Sequence, residues 1–171
     1  SAASDVYKRQ AMRNAIKKNY NPVNSEPMSQ GTRCRQLATY VIFDSPLNML
    51  CDNPSNYKRE PECTAFIARI PTVWDETLGL DGKVGEYITT ARRSGDEWYV
   101  GGLTNWDKRD ITVDLSFLGE GFYEIELFKD GINADRAACD YKRVVMPVPE
   151  DRQLKVTLFP GGGFAGRIER R

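Results

Sequence analysis

The chain contains no histidine among its 171 residues. That absence removes Ser-His-Asp and Cys-His activation of a nucleophile, and it removes zinc sites that need imidazole. Any acid–base chemistry falls to Asp, Glu, Lys, Tyr or Cys. Net charge is missing too, since 24 Lys and Arg stand against 24 Asp and Glu. With no basic excess there is no counterion release to drive binding to a phosphate backbone, so nucleic acid is not an expected partner. No apolar run approaches the roughly 18 residues that span a bilayer, and a membrane is not an expected partner either. No apolar stretch follows the charged residues near the start, so no secretion signal is expected within this chain. Four cysteines, Cys34, Cys51, Cys63 and Cys139, lie too far apart for a CxxC metal or redox motif. Each sits among apolar neighbours and reads as a small buried hydrophobe.

What the chain does have is two patterns of apolar spacing that meet near residues 70–87. Residues 1–10 fit neither and read as a non-native leader, of the kind a translated library adapter leaves, which implies a longer parent protein. Residues 11–18 suggest a short helix, followed by a polar loop to Met28. Ser29 is placed to cap a second helix. In it Cys34, Leu37, Ala38, Val41 and Ile42 fall on one apolar face, and Pro46 ends it. Leu47 to Cys51 is a short apolar run of strand length, Asp52-Asn53-Pro54 is a turn, and Glu62–Ile70 reads as a helix stopped by Pro71. Helix, strand, loop and helix in that order read as the tail of an α/β domain.

After the seam, apolar residues alternate in period two. Val84–Arg93 and Glu97–Thr104 form a predicted hairpin about Ser94-Gly95-Asp96, and Ile111, Val113, Leu115 and Phe117 mark a half-buried strand. Later strands are expected at Phe122–Phe128, Tyr141–Val148, Leu154–Leu158 and Ala165–Ile168. About seven short strands in some 90 residues suit an antiparallel β-sandwich.

Asp52, just past an apolar strand, is a candidate substrate-binding residue, weighed against a simple turn role. Glu26, in a loop before a helix, is a lesser one. Asp130, Asn133, Asp135 and Asp140 gather oxygens that calcium could use, but the spacing misses the EF-hand pattern and an Asx-type turn is the stronger reading. Trp74, Trp98, Tyr99 and Trp106 could stack sugars. Trp98 and Tyr99 must face opposite sides of a strand, so at most one is expected in a core. Packing is the reading for Trp98 and Trp74, and Trp106 stays open. Pro160-Gly161-Gly162-Gly163 has no Lys-Ser/Thr after it and reads as a flexible turn.

Several long strings carry a resemblance. They are Pro27-Met28-Ser29-Gln30-Gly31-Thr32-Arg33-Cys34, Leu50-Cys51-Asp52-Asn53-Pro54, Ile70-Pro71-Thr72-Val73-Trp74-Asp75-Glu76-Thr77, Leu115-Ser116-Phe117-Leu118-Gly119-Glu120-Gly121, Asp130-Gly131-Ile132-Asn133-Ala134-Asp135-Arg136 and Pro160-Gly161-Gly162-Gly163. Together they resemble the C-terminal part of glycoside hydrolase family 97, enzymes of the α-glucosidase and α-galactosidase type.

The resemblance implies that residues 11–75 are the end of a catalytic (β/α)8 barrel and residues 76–171 a C-terminal antiparallel β-sandwich used for association. It implies a parent that hydrolyses terminal α-glycosidic bonds of an α-linked oligosaccharide, with calcium near the substrate, in the periplasm or outside the cell. The catalytic carboxylates and the calcium ligands are expected upstream, with none in this chain, so the chain alone is expected to be inactive. A non-enzymatic sandwich for oligomerisation or carbohydrate contact is the alternative. Without the rest of a barrel, the apolar faces of residues 30–70 must pack on the sandwich, self-associate or stay mobile. Residues 76–171 are expected to fold alone, with residues 11–60 exchanging amide hydrogens quickly.

Overall fold

The structure, a computed structural model, describes residues 9–10, 12–23, 25, 27–45, 49–50 and 52–171. The apolar stripe beginning at Cys34 forms helix α1 (Arg33–Ile42). Cys34, Leu37, Ala38 and Val41 are completely buried. The helix ends at Ile42, before the expected stop, and Pro46 lies outside the described residues. Two short helices follow, α2 (Pro54–Arg59) and α3 (Pro61–Arg69), each started by a proline whose missing N–H costs nothing at that position. Helix α3 matches its expectation to within a residue, whereas α2 was hidden because it is only six residues long.

Four two-residue strands accompany these helices: β1 (Arg9–Gln10), β2 (Asn14–Ala15), β3 (Ser29–Gln30) and β4 (Met49–Leu50). They pair in parallel, β1 with β4 and β2 with β3. The helix expected over 11–18 is therefore absent over the described part. Its residues are fixed across α1 instead, where the Asn14 side chain donates to Gln36 at 2.9 Å. Of the strand expected at 47–51, Met49–Leu50 pairs, and Leu47, Asn48 and Cys51 lie outside the described residues.

Residues 76 onward form β5 (Glu76–Lys83), β6 (Tyr87–Ser94), β7 (Glu97–Thr104), β8 (Arg109–Asp114), β9 (Tyr123–Asp130), β10 (Tyr141–Pro147), β11 (Gln153–Leu158) and β12 (Gly163–Arg170), with a 3-10 turn at Ser116–Leu118. Six of them make one antiparallel sheet in the order β10-β9-β12-β7-β6-β5, and β11 pairs with β8. Strand β7 has the limits expected of it. Strand β5 is an addition that Gly79, Asp81 and Gly82 disguised, since all three are poor strand formers, and it is an exposed edge with a bulge between Gly79 and Asp81. Phe117 leaves the strand pattern for the 3-10 turn.

The six-stranded sheet is covered on both faces. One face packs with β8 and β11 around Val100, Val113, Leu115, Ile125, Phe164 and Ile168. The other packs under the helices, where Leu37, Val41 and Phe66 meet Tyr99, Leu103, Phe128 and Ala165. Of the outcomes open to residues 30–70, the described helices thus pack on the sandwich. Because α1 shares one core with the sheet, the expectation of fast exchange in residues 11–60 beside a separately folding β-domain is replaced for α1 by one of coupled opening. Tyr99 is fully buried on the helix side, while Trp98 packs on the opposite side 4.5 Å from Phe117. Both therefore contribute to cores, which corrects the expectation of one, because a second layer covers the face that a lone sandwich leaves open. Trp74 joins the helix-side cluster, 5.4 Å from Tyr99. Gly101 lets α1 approach, since a Cβ there would lie 3.2 Å from Val41.

Burying a leucine contributes about 1.5–3 kcal/mol, and removing one from a closed core costs more because a cavity remains. Leu37→Ala is expected to lower the unfolding free energy of the whole β-domain by about 2–5 kcal/mol in urea titration. An unchanged sheet transition would show that the helix packs without coupling.

Candidate functional site

Both ends of α1 are held by charged side chains from the sheet. At its start the cap is Thr32, in place of the expected Ser29, which lies in β3: the Thr32 hydroxyl accepts from the Arg35 N–H at 3.1 Å and donates to Asp130 Oδ1 at 2.6 Å. Asp130 Oδ2 accepts from the backbone N–H groups of Phe159 at 3.0 Å and Gly163 at 3.1 Å. The Thr32 N–H donates to Gly161 O and the Arg33 N–H to Ala138 O, so first-turn donors that a helix leaves orphaned are met by loops of the sheet. At the far end Arg92, from β6 and only 4% exposed, donates to Ile42 O at 3.0 Å. A cation there also complements the negative end of the helix dipole. Its guanidinium lies 5.6 Å from the centre of the Trp74 ring.

Arg33, 2% exposed, ties in the remaining pieces. It donates to Asn14 Oδ1 at 2.5 Å, to Met12 O at 2.8 Å and to Cys139 Sγ at 3.2 Å, and pairs with Glu60 at 2.9 Å. A buried guanidinium is tolerable because Nε and Nη2 donate to the protein and Nη1 faces the Glu60 carboxylate.

Asp130 is the most perturbed carboxyl described. Burial pushes its pKa up to about 6, and the bonds from Thr32, Phe159 and Gly163 with the attraction of Arg35 pull it back only in part. A raised carboxyl pKa can mark a general acid, but both oxygens here are engaged by the protein's own donors. It is a structural clamp. Pro160-Gly161-Gly162-Gly163 closes around it: a Cβ at Gly162 would lie 2.5 Å from Phe159 O, and Gly161 holds φ +67°. The loop expected to be flexible is a packed seat, with Gly161, Gly162 and Gly163 buried.

The sequence candidates fall elsewhere. Asp52 accepts from the Met12 N–H at 2.9 Å, the Asn53 N–H at 2.7 Å and the Asn56 side chain at 2.7 Å. Burial works to raise its pKa, but these hydrogen bonds outweigh it and hold the carboxyl below its usual value. Its geometry is that of a turn at the start of α2, with Asn53 as the cap. Glu26 lies outside the described residues. Asp140 accepts from the Asn133 N–H at 2.8 Å, which makes the 130–140 segment a turn. Among the described residues no three His, Cys, Asp or Glu side chains gather to hold a metal. Cys34 and Cys63 are buried free thiols as expected, whereas Cys139 is exposed beside Arg33. Trp106 lies against Gly161, which resolves it as a packing residue.

A carboxylate clamp and a capped helix laid on a two-faced sheet are what the described geometry offers. Residues 73–169 match the family described as "Glycosyl-hydrolase 97 C-terminal, oligomerisation". The chain belongs to this family. Over 163 residues, 95% of the chain, it is 68% identical to a curated retaining alpha-galactosidase of Bacteroides thetaiotaomicron, of which the match covers 25%. The chain thus spans about a quarter of that relative's length. A solved glycoside hydrolase family 97 enzyme from Pseudoalteromonas sp. strain K8, in complex with panose, superposes with a TM-score of 0.78 at 35% identity, over 82% of this chain and 23% of that one. A solved beta-arabinopyranosidase gives a TM-score of 0.70 at 30% identity, over 84% of this chain and 22% of its own. The resemblance read from the sequence strings is therefore upheld for a family 97 C-terminal piece.

Thr32, Arg92 and the clamp role of Asp130 were missed by sequence reasoning. Thr32 had a local signal, a capping residue directly before the apolar period. The other two act across more than 45 positions and left none. The perturbed pKa yields a test with a definite sign. Folded Asp130 keeps its proton to higher pH than an unfolded aspartate, so its contribution to stability falls as pH rises from about 4 to about 6 and is flat above. Relative to Asp130→Asn, the unchanged protein is expected to lose up to about 3 kcal/mol across that window in denaturant titrations. A difference that grows with pH would mean that the hydrogen bonds dominate and the carboxyl is held low.

Proposed function

We propose that this chain is the C-terminal part of an α-glycosidase, and that its work is to complete and to assemble that enzyme. The observation that carries the proposal is the 68% identity, over 95% of the chain, to a retaining alpha-galactosidase. On this reading the parent acts on terminal α-galactosidic bonds of α-linked oligosaccharides, and calcium, where the parent uses it, is held by residues outside this chain. A periplasmic or secreted location belongs to the same proposal.

Residues 11–75 are proposed as the end of a (β/α)8 barrel, and residues 76–171 as the sandwich. The parallel pairing of β2 with β3 supports the first part, because parallel neighbours are what such barrels are built from; β1, which pairs in parallel with β4, falls before residue 11, within the stretch read as a leader. The antiparallel six-stranded sheet supports the second. The family description supports a role for the sandwich in association between protomers. The sheet holds α1 at both ends, so the sandwich also fixes the position of the segment it is proposed to share with the barrel.

Glycosidic chemistry needs two acids about 5–9.5 Å apart across a sugar, and on this reading the parent supplies them outside this chain. The chain alone, with calcium added, is expected to release no nitrophenol from nitrophenyl α-galactoside above buffer. Release that disappears in Asp52→Ala would place a reacting group in this chain and overturn the reading.

A further inference from the structure

Phe122 is 84% exposed, yet the backbone that presents it is fixed on every side. Arg152 donates to Gly119 O at 2.7 Å and to Gly121 O at 2.8 Å, and the Tyr123 hydroxyl donates to Leu118 O at 2.5 Å. The Arg171 N–H donates to Phe122 O at 2.8 Å, and the Arg152 guanidinium lies 5.2 Å from the centre of the Tyr123 ring. An exposed aromatic on an ordered turn is a preorganised anchor, the residue type that carries most binding energy in protein interfaces. Phe122 forms one wall of a groove of ≈ 560 Å³ whose apolar lining also includes Tyr123, Pro147 and Val148. Exposed Glu150 and Arg171 line it too, Arg171 already paired with Glu124 of the same groove.

We infer that this surface joins two copies of the chain, Phe122 of each filling the groove of the other. A two-fold interface needs a patch complementary to itself, and an aromatic knob beside an apolar groove is one. Charges of both signs on the rim let each copy offer the complement of the other. The inference rests on the association role proposed above and names the surface that performs it.

Position in the fold favours this surface over other exposed apolar groups. Phe122 precedes Tyr123, which pairs with Arg170 at one end of the sheet. Residues 12–33 attach at the opposite end, where Thr32 meets Asp130 and Gly161. Polypeptide preceding α1 therefore arrives far from Phe122. Val84, fully exposed at the tip between β5 and β6, shares the α1 end instead: its groove includes Arg35 of α1, which donates to Thr104 O.

Sedimentation velocity on the 171-residue chain, with Phe122→Glu and Val84→Glu, tests the assignment. A dimer is expected for the unchanged chain and for Val84→Glu. Phe122→Glu is expected to raise the dissociation constant roughly 30-fold or more, with an unchanged melting temperature. If Phe122→Glu melts early, Glu150→Arg, on the exposed rim, is read in its place and is expected to weaken the dimer. A dimer untouched by both variants contradicts this surface while leaving association intact. A chain that stays monomeric at several hundred micromolar contradicts the surface and the association role together.

Discussion

A ten-residue helix sits on a β-sheet with both of its ends gripped by charged side chains of that sheet, and the rest of the architecture follows from this grip. Isolated helices of this length are marginal in water. This one has its first-turn donors met by Thr32, Gly161 and Ala138, and its last turn met by Arg92. Between the two grips, Cys34, Leu37, Ala38 and Val41 close over Tyr99, Leu103 and Ala165. Polar clamps fix the position, and apolar burial supplies most of the energy.

The arrangement explains what the perturbed groups of the chain do. Asp130 is buried and its pKa is raised, but its oxygens face a hydroxyl and two backbone amides. Arg33 and Arg92 are buried cations, Arg33 donating to Met12 O and Arg92 Nη2 to Ile42 O. Such groups cost desolvation, and what they provide in return is a fixed register between layers. In a member of the glycosyl-hydrolase 97 C-terminal family, that fixed register ties the helical segment to the sandwich.

Much of this was legible in the residues. Helix α1 announced itself through its apolar stripe, β8 and β11 through alternation, where the local period matches the face that tertiary structure buries, and β7 through the hairpin turn before it. The family strings added the larger context. Three kinds of feature were not legible. Strand β5 is written in Gly79, Asp81 and Gly82, and its place at the sheet edge lets it tolerate them. The burial of Tyr99 requires a second layer that no local pattern encodes. Asp130 looks like any aspartate before a glycine, and its role depends on Thr32, 98 positions away. Asp52 was legible as a turn residue, and it holds the turn at the start of α2.

The central claim is that helix and sheet open together. Native-state hydrogen exchange on the full chain measures this directly, residue by residue. The account predicts that the amides of residues 36–42 share the slow exchange of β7 and β12, with one opening free energy for all three. Exchange in α1 that runs roughly 100-fold faster while both strands stay protected would contradict it, and would make the helix a passenger on a sandwich that stands without it.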